Sequence, residues 1–233
     1  MSTVFLQRQK DITISTSSVE IRDISIVVPD CLLICNLSHA KVQLIDTRDG
    51  RVFSEVSMAY WINKPPMWRL CLPANDRAAV TVSNKIQMIN IQRQSLSLGI
   101  VLKLNRDPVG DSTCGQGDLV VSYSKAPWIE VITTNGKVLR QFDVNTKHFD
   151  DPRFLTTSIE GFINVSDCRT NAITKLDSAL QLLQTFSSLL MSIPAGITSM
   201  GPDVGMQQGK SSHPAAKHQD RKVVCLTLEA RWD

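Results

Sequence analysis

Short apolar runs recur along the chain at a nearly constant interval. One run recurs four times with a similar pattern of apolar and polar positions, beginning at Val42, Ile86, Ile129 and Ile173, in steps of 44, 43 and 44 residues. A second apolar run and a turn precede each copy. The repeated unit therefore consists of short extended segments, because a helical unit would repeat its apolar positions about every 3.6 residues.

Turn signals divide each unit into four strands, here called A to D. Asp49-Gly50 and Asn135-Gly136 separate strand C from the next apolar segment, and such pairs favour tight hairpins because both residue types tolerate a positive φ. Four strands in about 44 residues is the period of a propeller blade. We therefore predict an all-β propeller. Its blades are expected at residues 21–60, 61–104, 105–147 and 148–190.

A fifth unit begins near residue 191 and is incomplete, so we predict a partial blade over 191–203. Residues 204–233 are predicted to be a polar tail without regular structure, because such a segment cannot offset its own ordering entropy. The alternative is that the short apolar run of the tail, Val223–Leu228, returns as a strand that completes a blade. Residues 1–20 are predicted to be a lead-in segment.

Composition and charge add few constraints. The chain has 233 residues, 42% of them hydrophobic and 20% charged, and a net charge of +3, which is ordinary for a globular protein and does not by itself imply nucleic acid or a membrane. No stretch reaches the roughly 18 apolar residues of a membrane span, and the start lacks a secretion signal. We therefore expect a cytoplasmic protein without a membrane partner.

The sequence contains no recognisable catalytic, cofactor or metal motif. Its six cysteines form no CxxC pair and have no histidine at zinc spacing, so we expect reduced thiols. His39 and His148 lie in predicted loops, without a neighbouring nucleophile motif. The glycine-rich segment 110–117 lacks the lysine of a phosphate-binding loop. We expect no enzyme activity, no cofactor and no metal.

Two of the units resemble a known repeat. The segment from Asn36 to Val42, with Asp46 and Asp49-Gly50 after it, resembles the core of an NHL repeat. The segment 167–173 is similar, with its asparagine one place later. Together with the runs at 68–71 and 79–82, this is similar to the C-terminal propellers of invertebrate tripartite-motif (TRIM-NHL-like) proteins, over about residues 12–203.

The resemblance implies a partner-recognition domain. Full members of that family carry a six-bladed propeller after RING, B-box and coiled-coil segments, and they are often ubiquitin ligases whose propeller selects protein or RNA partners. This chain has no cysteine and histidine pattern of a RING, so ligase activity is not expected from it. Four blades and a partial fifth fall short of six, which implies a fragment or a divergent protein.

Propeller geometry brings the B–C and D–A connections of all blades to one face, here called the loop face. We expect basic residues and an aromatic residue to converge there as a binding face: Lys41, Trp68, Arg69, Lys85, Lys125, Arg153 and Arg169. The favoured hypothesis is a protein-interaction module. The alternative is an RNA-binding propeller, because cations with aromatic neighbours hold phosphates and stack bases. Open blade edges also predict self-association.

Overall fold

The structure of the chain is a computed structural model. It describes the following residues: 5–13, 21–28, 30–58, 67–82, 84–106, 108–113, 117–123, 128–142, 148–158, 160–187, 197–200, 203–206 and 222–229. Every regular element in these ranges is a strand. None of them contains a helix long and apolar enough to cross a membrane.

Four antiparallel sheets of four strands each form the blades of a β-propeller. Blade 1 consists of β2 (Ile21–Val28), β3 (Cys31–Asn36), β4 (Lys41–Asp46) and β5 (Val52–Ser57). Blade 2 consists of β6 (Met67–Ala74), β7 (Arg77–Val82), β8 (Lys85–Gln92) and β9 (Ser95–Lys103). Blade 3 consists of β10 (Pro108–Thr113), β11 (Leu119–Tyr123), β12 (Trp128–Ile132) and β13 (Val138–Gln141). Blade 4 consists of β14 (Pro152–Thr157), β15 (Ile163–Asp167), β16 (Ala172–Leu176) and β17 (Leu182–Ser187). The predicted fold class is confirmed.

The blades repeat in their irregularities as well as in their strands. In every blade the ladder between strands A and B shifts register near the start of strand A, as between Ile21 and Asp23 or between Pro152 and Phe154. The ladder between strands C and D shifts once more at a corresponding position of strand C, as between Leu44 and Ile45 or between Gln87 and Ile89. Because a β-bulge increases the local twist, these shifts add twist at corresponding places of the four blades.

The core consists of layers between neighbouring blades. Strands B and C are almost fully buried because both faces of each inner sheet are covered. Val80 packs in the layer shared with blade 1, whereas its neighbour Ala79 packs in the layer shared with blade 3. Val121 and Val120 alternate in the same way between the layers on either side of blade 3. Side chains of the outermost strands β13 and β17 are exposed along their whole length.

Each C–D turn contains one residue with a positive φ. The angle is 76° at Gly50, 54° at Arg93, 87° at Gly136 and 66° at Leu180. The glycines are those of the predicted Asp-Gly and Asn-Gly hairpins. The second blade, which lacks a glycine here, reaches the left-handed region with an arginine, and the fourth does so with a leucine whose side chain is buried.

Strands are also present on both sides of the four blades. After blade 4, β18 (Ile197–Met200) and β19 (Asp203–Met206) form a two-stranded sheet, and β18 contacts β14. Near the chain ends, β1 (Phe5–Thr13) pairs antiparallel with β20 (Lys222–Glu229). Strand β20 and most of β19 thus lie within residues 204–233, for which the sequence analysis predicts a tail without regular structure. The partner of β20 lies more than two hundred residues away in sequence, so local composition gives no sign of the pairing.

Candidate functional site

The first strands of the blades line the axis of the propeller. They contact one another in the order β2, β6, β10, β14. Asp23 and Phe154 lie just after the register shift of their strands, and Arg69 lies within the shift of its own strand. The guanidinium carbon of Arg69 lies 3.9 Å from the centroid of the Phe154 ring, so a side chain of blade 2 reaches blade 4 past the inner strand of blade 3. At this level the axis is occupied by side chains.

Asp23 connects blade 1 to blade 2 within this axial group. Its Oδ2 atom accepts a hydrogen bond of 2.9 Å from the backbone N–H of Leu70, and its Oδ1 atom accepts one of 2.9 Å from Ile24. Burial raises the pKa of Asp23 above its ordinary value, and the nearby charge of Arg69 opposes this effect. The carboxyl group is thus held beside Arg69 by backbone donors of two blades.

Asp167 connects two loops at one end of blade 4. Its Oδ2 atom accepts backbone N–H bonds from Asp150 (2.6 Å) and Asp151 (3.1 Å), and its Oδ1 atom accepts bonds of 3.0 Å from Arg169 and Thr170. Burial of the carboxyl group favours a higher pKa, but the four donors outweigh it and hold the pKa of Asp167 below its usual value. One buried carboxylate therefore fixes both the D–A connection and the B–C turn of this blade.

Cations of the predicted face are paired with carboxylates of the same face. Arg153 Nε lies 2.8 Å from Asp151 Oδ2, and Arg169 Nη1 lies 3.2 Å from Asp150 Oδ1. In blade 1, Lys41 forms an ion pair with Glu55 of the neighbouring outer strand. Hydrogen bonding to the ammonium group of Lys41 lowers the pKa of Glu55.

The predicted face is therefore not one continuous positive surface. Arg69 points into the axis. Burial raises the pKa of the Cys168 thiol, and the charges of Arg153 and Arg69 oppose this effect. Lys85 is the first residue of β8 and is half-buried. Lys125 lies outside the described residues, and although residue 68 belongs to β6, the side chain of Trp68 is outside them too.

A second group of polar side chains was missed by the sequence analysis. The third position of strand C is polar in every blade, at Gln43, Gln87, Glu130 and Thr174. These positions follow the steps of 44, 43 and 44 residues of the repeat itself, so the sequence contained the signal. Glu130 lines a cavity between blades 2 and 3.

Several solved structures, β-propellers among them, resemble the chain over most of its length. Virginiamycin B lyase from Staphylococcus aureus is 17% identical with a TM-score of 0.65, and the match covers 86% of this chain and 66% of that chain. The β-propeller domain of Cps50 (Swd1) from Myceliophteria thermophila is 16% identical with a TM-score of 0.60, covering 76% and 61%. Hydrazine synthase from Kuenenia stuttgartiensis is 16% identical with a TM-score of 0.66, covering 92% and 64%.

These similarities show the fold alone, because the identities are low. The chain spans just under two thirds of the length of the solved structures that it matches. No protein family profile and no curated protein sequence matches the chain. The relation to NHL repeats and tripartite-motif proteins stays a prediction from the sequence.

Proposed function

We propose that the chain is a non-catalytic protein-interaction module whose loop face recognises a protein partner. The observation that carries this proposal is the pairing of the basic residues: Lys41 with Glu55, Arg153 with Asp151, and Arg169 with Asp150. The result is a surface on which charges of both signs alternate. Mixed charge of this kind gives a protein interface its orientation and its selectivity between partners.

The same pairs weaken the case for RNA. A phosphate backbone is bound by cations that exchange counterions for phosphates, and most of the affinity comes from that exchange. On this face a phosphate has to compete with Glu55 for Lys41, with Asp151 for Arg153 and with Asp150 for Arg169. Asp167, held as a carboxylate beneath the same loops, further reduces the positive potential.

The chemistry of the described residues supports a function without catalysis. Burial raises the pKa of the Cys168 thiol, which reduces its thiolate fraction and its value as a nucleophile. The ring of His148 packs edge-on against Phe142, and His39 Nδ1 lies 3.4 Å from Asn36 Oδ1. Within the described ranges, no three histidine, cysteine, aspartate or glutamate side chains lie close enough together to hold a metal ion.

The finer part of the proposal rests on the sequence resemblance. By that resemblance the chain is the partner-recognition propeller of a TRIM-like, ubiquitin-ligase-like protein in the cytoplasm. Cys31, Cys35, Cys71 and Cys168 are thiols, as suits a reducing compartment. RNA binding by the loop face is the alternative that the experiment has to distinguish from protein binding.

The test compares a variant with charges reversed on the loop face, Arg153→Glu with Arg169→Glu, with a matched control, Arg77→Glu. Arg77 is exposed at the start of β7, on the opposite face. Partners captured by the wild-type chain are identified by quantitative mass spectrometry, and the binding of each purified partner is measured. We expect the double variant to lose a partner that the control retains.

A second arm measures filter binding of a labelled single-stranded RNA across a salt series. The proposal predicts no retention even at low salt. Retention that falls steeply with salt and is lost in the double variant would establish the RNA alternative. A partner lost equally in the control and in the double variant would contradict recognition by the loop face.

A further inference from the structure

A cavity of about 300 Å³ lies between blades 2 and 3, away from the axis and from the ion pairs of blade 4. One wall is the end of β9 and the connection after it, with Lys103, Asn105 and Arg106. The other wall is the sheet of blade 3, with Tyr123, Trp128 and Glu130. Val138 adds a partly exposed apolar surface at one end, and Ile132, its partner in the strand ladder, is fully buried. We call this cavity the interblade cleft.

Glu130 is held in place by donors of its own blade. Its Oε2 atom accepts a hydrogen bond of 2.9 Å from Tyr123 Oη, and its Oε1 atom accepts bonds of 2.8 Å from Trp128 Nε1 and Gln141 Nε2. Burial, and next the charge of Glu130, raise the pKa of Tyr123, so its hydroxyl group stays a donor. These bonds fix the walls of the cleft and use up much of the accepting capacity of this carboxylate.

The corresponding positions of the other blades are filled differently. Gln87 donates to the backbone carbonyl of Gly99 at 2.9 Å, and Thr174 Oγ1 lies 3.4 Å from Thr185 Oγ1. Gln43, Gln87 and Thr174 are all at most 5% exposed. Among the four blades, blade 3 alone has a charged residue at this position. The cleft is therefore a departure from the repeat and not a consequence of it.

The cations of the cleft face the open space. The guanidinium carbon of Arg106 lies 4.4 Å from the centroid of the Trp128 ring, which holds the arginine at the mouth by a cation–π contact. No described carboxylate lies within ion-pair distance of Arg106 or Lys103, in contrast to the paired cations of the loop face. With Glu130 already bonded, the lining offers mainly donors, and its net charge is positive.

We propose that the interblade cleft binds the carboxylate side chain of an acidic residue in a protein partner, with the apolar side chain next to it against Val138. Arg106 and Lys103 bind the carboxylate. Arg106 is suited to this task because its planar group is already oriented on Trp128 and carries five donors. This inference rests on the proposed function, that the chain binds proteins. It specifies the chemistry of the partner at a second site, the interblade cleft, in addition to the loop face.

The test uses nuclear magnetic resonance on the full chain, with the indole N–H signal of Trp128 assigned by Trp128→Phe. The probes are tetrapeptides with blocked ends: Ala-Glu-Leu-Ala, its glutamine isostere Ala-Gln-Leu-Ala, and Ala-Lys-Leu-Ala. We expect saturable shifts with the glutamate peptide, binding about tenfold weaker with the glutamine peptide, because hydrogen bonds to charged groups are the stronger ones, and none with the lysine peptide.

Variants locate the binding site. Arg106→Gln should raise the Kd of the glutamate peptide about tenfold, since it removes one charged hydrogen-bonding group. Arg140→Gln is the matched control, because it removes the same charge from exposed strand β13 outside the cleft, and it should leave the Kd unchanged. Equal binding of the glutamate and glutamine peptides, or an unchanged Kd in Arg106→Gln, would overturn the proposal.

Two further arms separate other outcomes. Inorganic phosphate that shifts the Trp128 signal as strongly as the glutamate peptide would show a site for small anions and would overturn the assignment to a peptide. A captured partner that binds wild type and Arg106→Gln equally would also overturn it, while leaving the protein-interaction function in place. Failure of the protein-interaction function would be recognised separately. RNA would be retained on the filter, or the binding of a partner would not change in the variants of the loop face.

Discussion

The guanidinium carbon of Arg69 lies 3.9 Å from the centroid of the Phe154 ring, so blade 2 packs against blade 4 along the propeller axis. The two strands that carry these residues, β6 and β14, both flank β10. Burial raises the pKa of Asp23 in blade 1, and the charge of the same arginine opposes this effect. Side chains of blades 2 and 4 therefore meet at the axis, near a carboxyl group of blade 1, and this contact bears on how these blades are held together.

The first prediction concerns this contact. In a double-mutant cycle with Arg69→Met and Phe154→Leu, we expect a coupling free energy of about 1–2 kcal/mol, the range for a desolvated cation–π pair. Urea unfolding of the four proteins measures it. The control is the cycle Arg51→Met with Phe53→Leu, whose 5.1 Å contact involves an exposed arginine and should couple more weakly. Equal coupling in both cycles would contradict a special role for the axial pair.

The second prediction concerns Asp167. Its folded-state pKa is lowered, so its charge stabilises the fold above the unfolded value of about 4, and this contribution is lost as the pH falls through the folded-state pKa. Asp167→Asn should cost about 1–3 kcal/mol near neutral pH, because buried N–H groups lose an acceptor. The difference from wild type should shrink in acid. Unfolding free energies across pH test this, and a constant difference would contradict it.

The third prediction concerns the left-handed residue Arg93. Its φ of 54° in a two-residue hairpin turn is a conformation that glycine adopts without the steric cost of a Cβ. Arg93→Gly should raise the free energy of unfolding by about 0.5–1 kcal/mol, since relief of strain exceeds the added entropy of the unfolded chain. Arg77→Gly, in a strand, is the control and should lower it. Thermal unfolding distinguishes the two signs.

The repeat was predictable because it is encoded locally. Runs of β-branched residues and Asp-Gly or Asn-Gly turns specify strands within a few positions, and the four blades follow from them. Blade 2 shows that the turn chemistry is only a preference: Arg93 stands where Gly50 and Gly136 stand in other blades. In blade 2 the packing of the strands therefore holds the turn in the conformation that glycine favours in blades 1 and 3.

The candidate site was less predictable because its properties depend on which residues contact one another in the folded chain. A basic residue in a loop looks the same in sequence whether it is available, as Arg106 is toward the interblade cleft, or paired, as Arg153 is with Asp151. The Arg69–Phe154 contact joins residues of non-adjacent blades, and no local pattern connects them. Glu130 was visible as the charged member of a periodic polar position, but its three donors were not.

The last prediction concerns the pairing of β1 with β20, whose register runs from Phe5 with Glu229 to Thr13 with Lys222. Deleting residues 1–13 removes the partner of β20, and deleting residues 222–233 removes the partner of β1. Each deletion thus leaves a strand edge that favours association with another chain. We expect either deletion to lower the melting temperature and to promote oligomers, and the double deletion to be no worse than the single ones, because all three lose the same ladder. Light scattering after size-exclusion chromatography, together with thermal unfolding, measures both effects. Additive losses would show that the two strands stabilise the chain through separate contacts, and oligomers of the intact chain would show that edges other than β1 and β20 drive self-association.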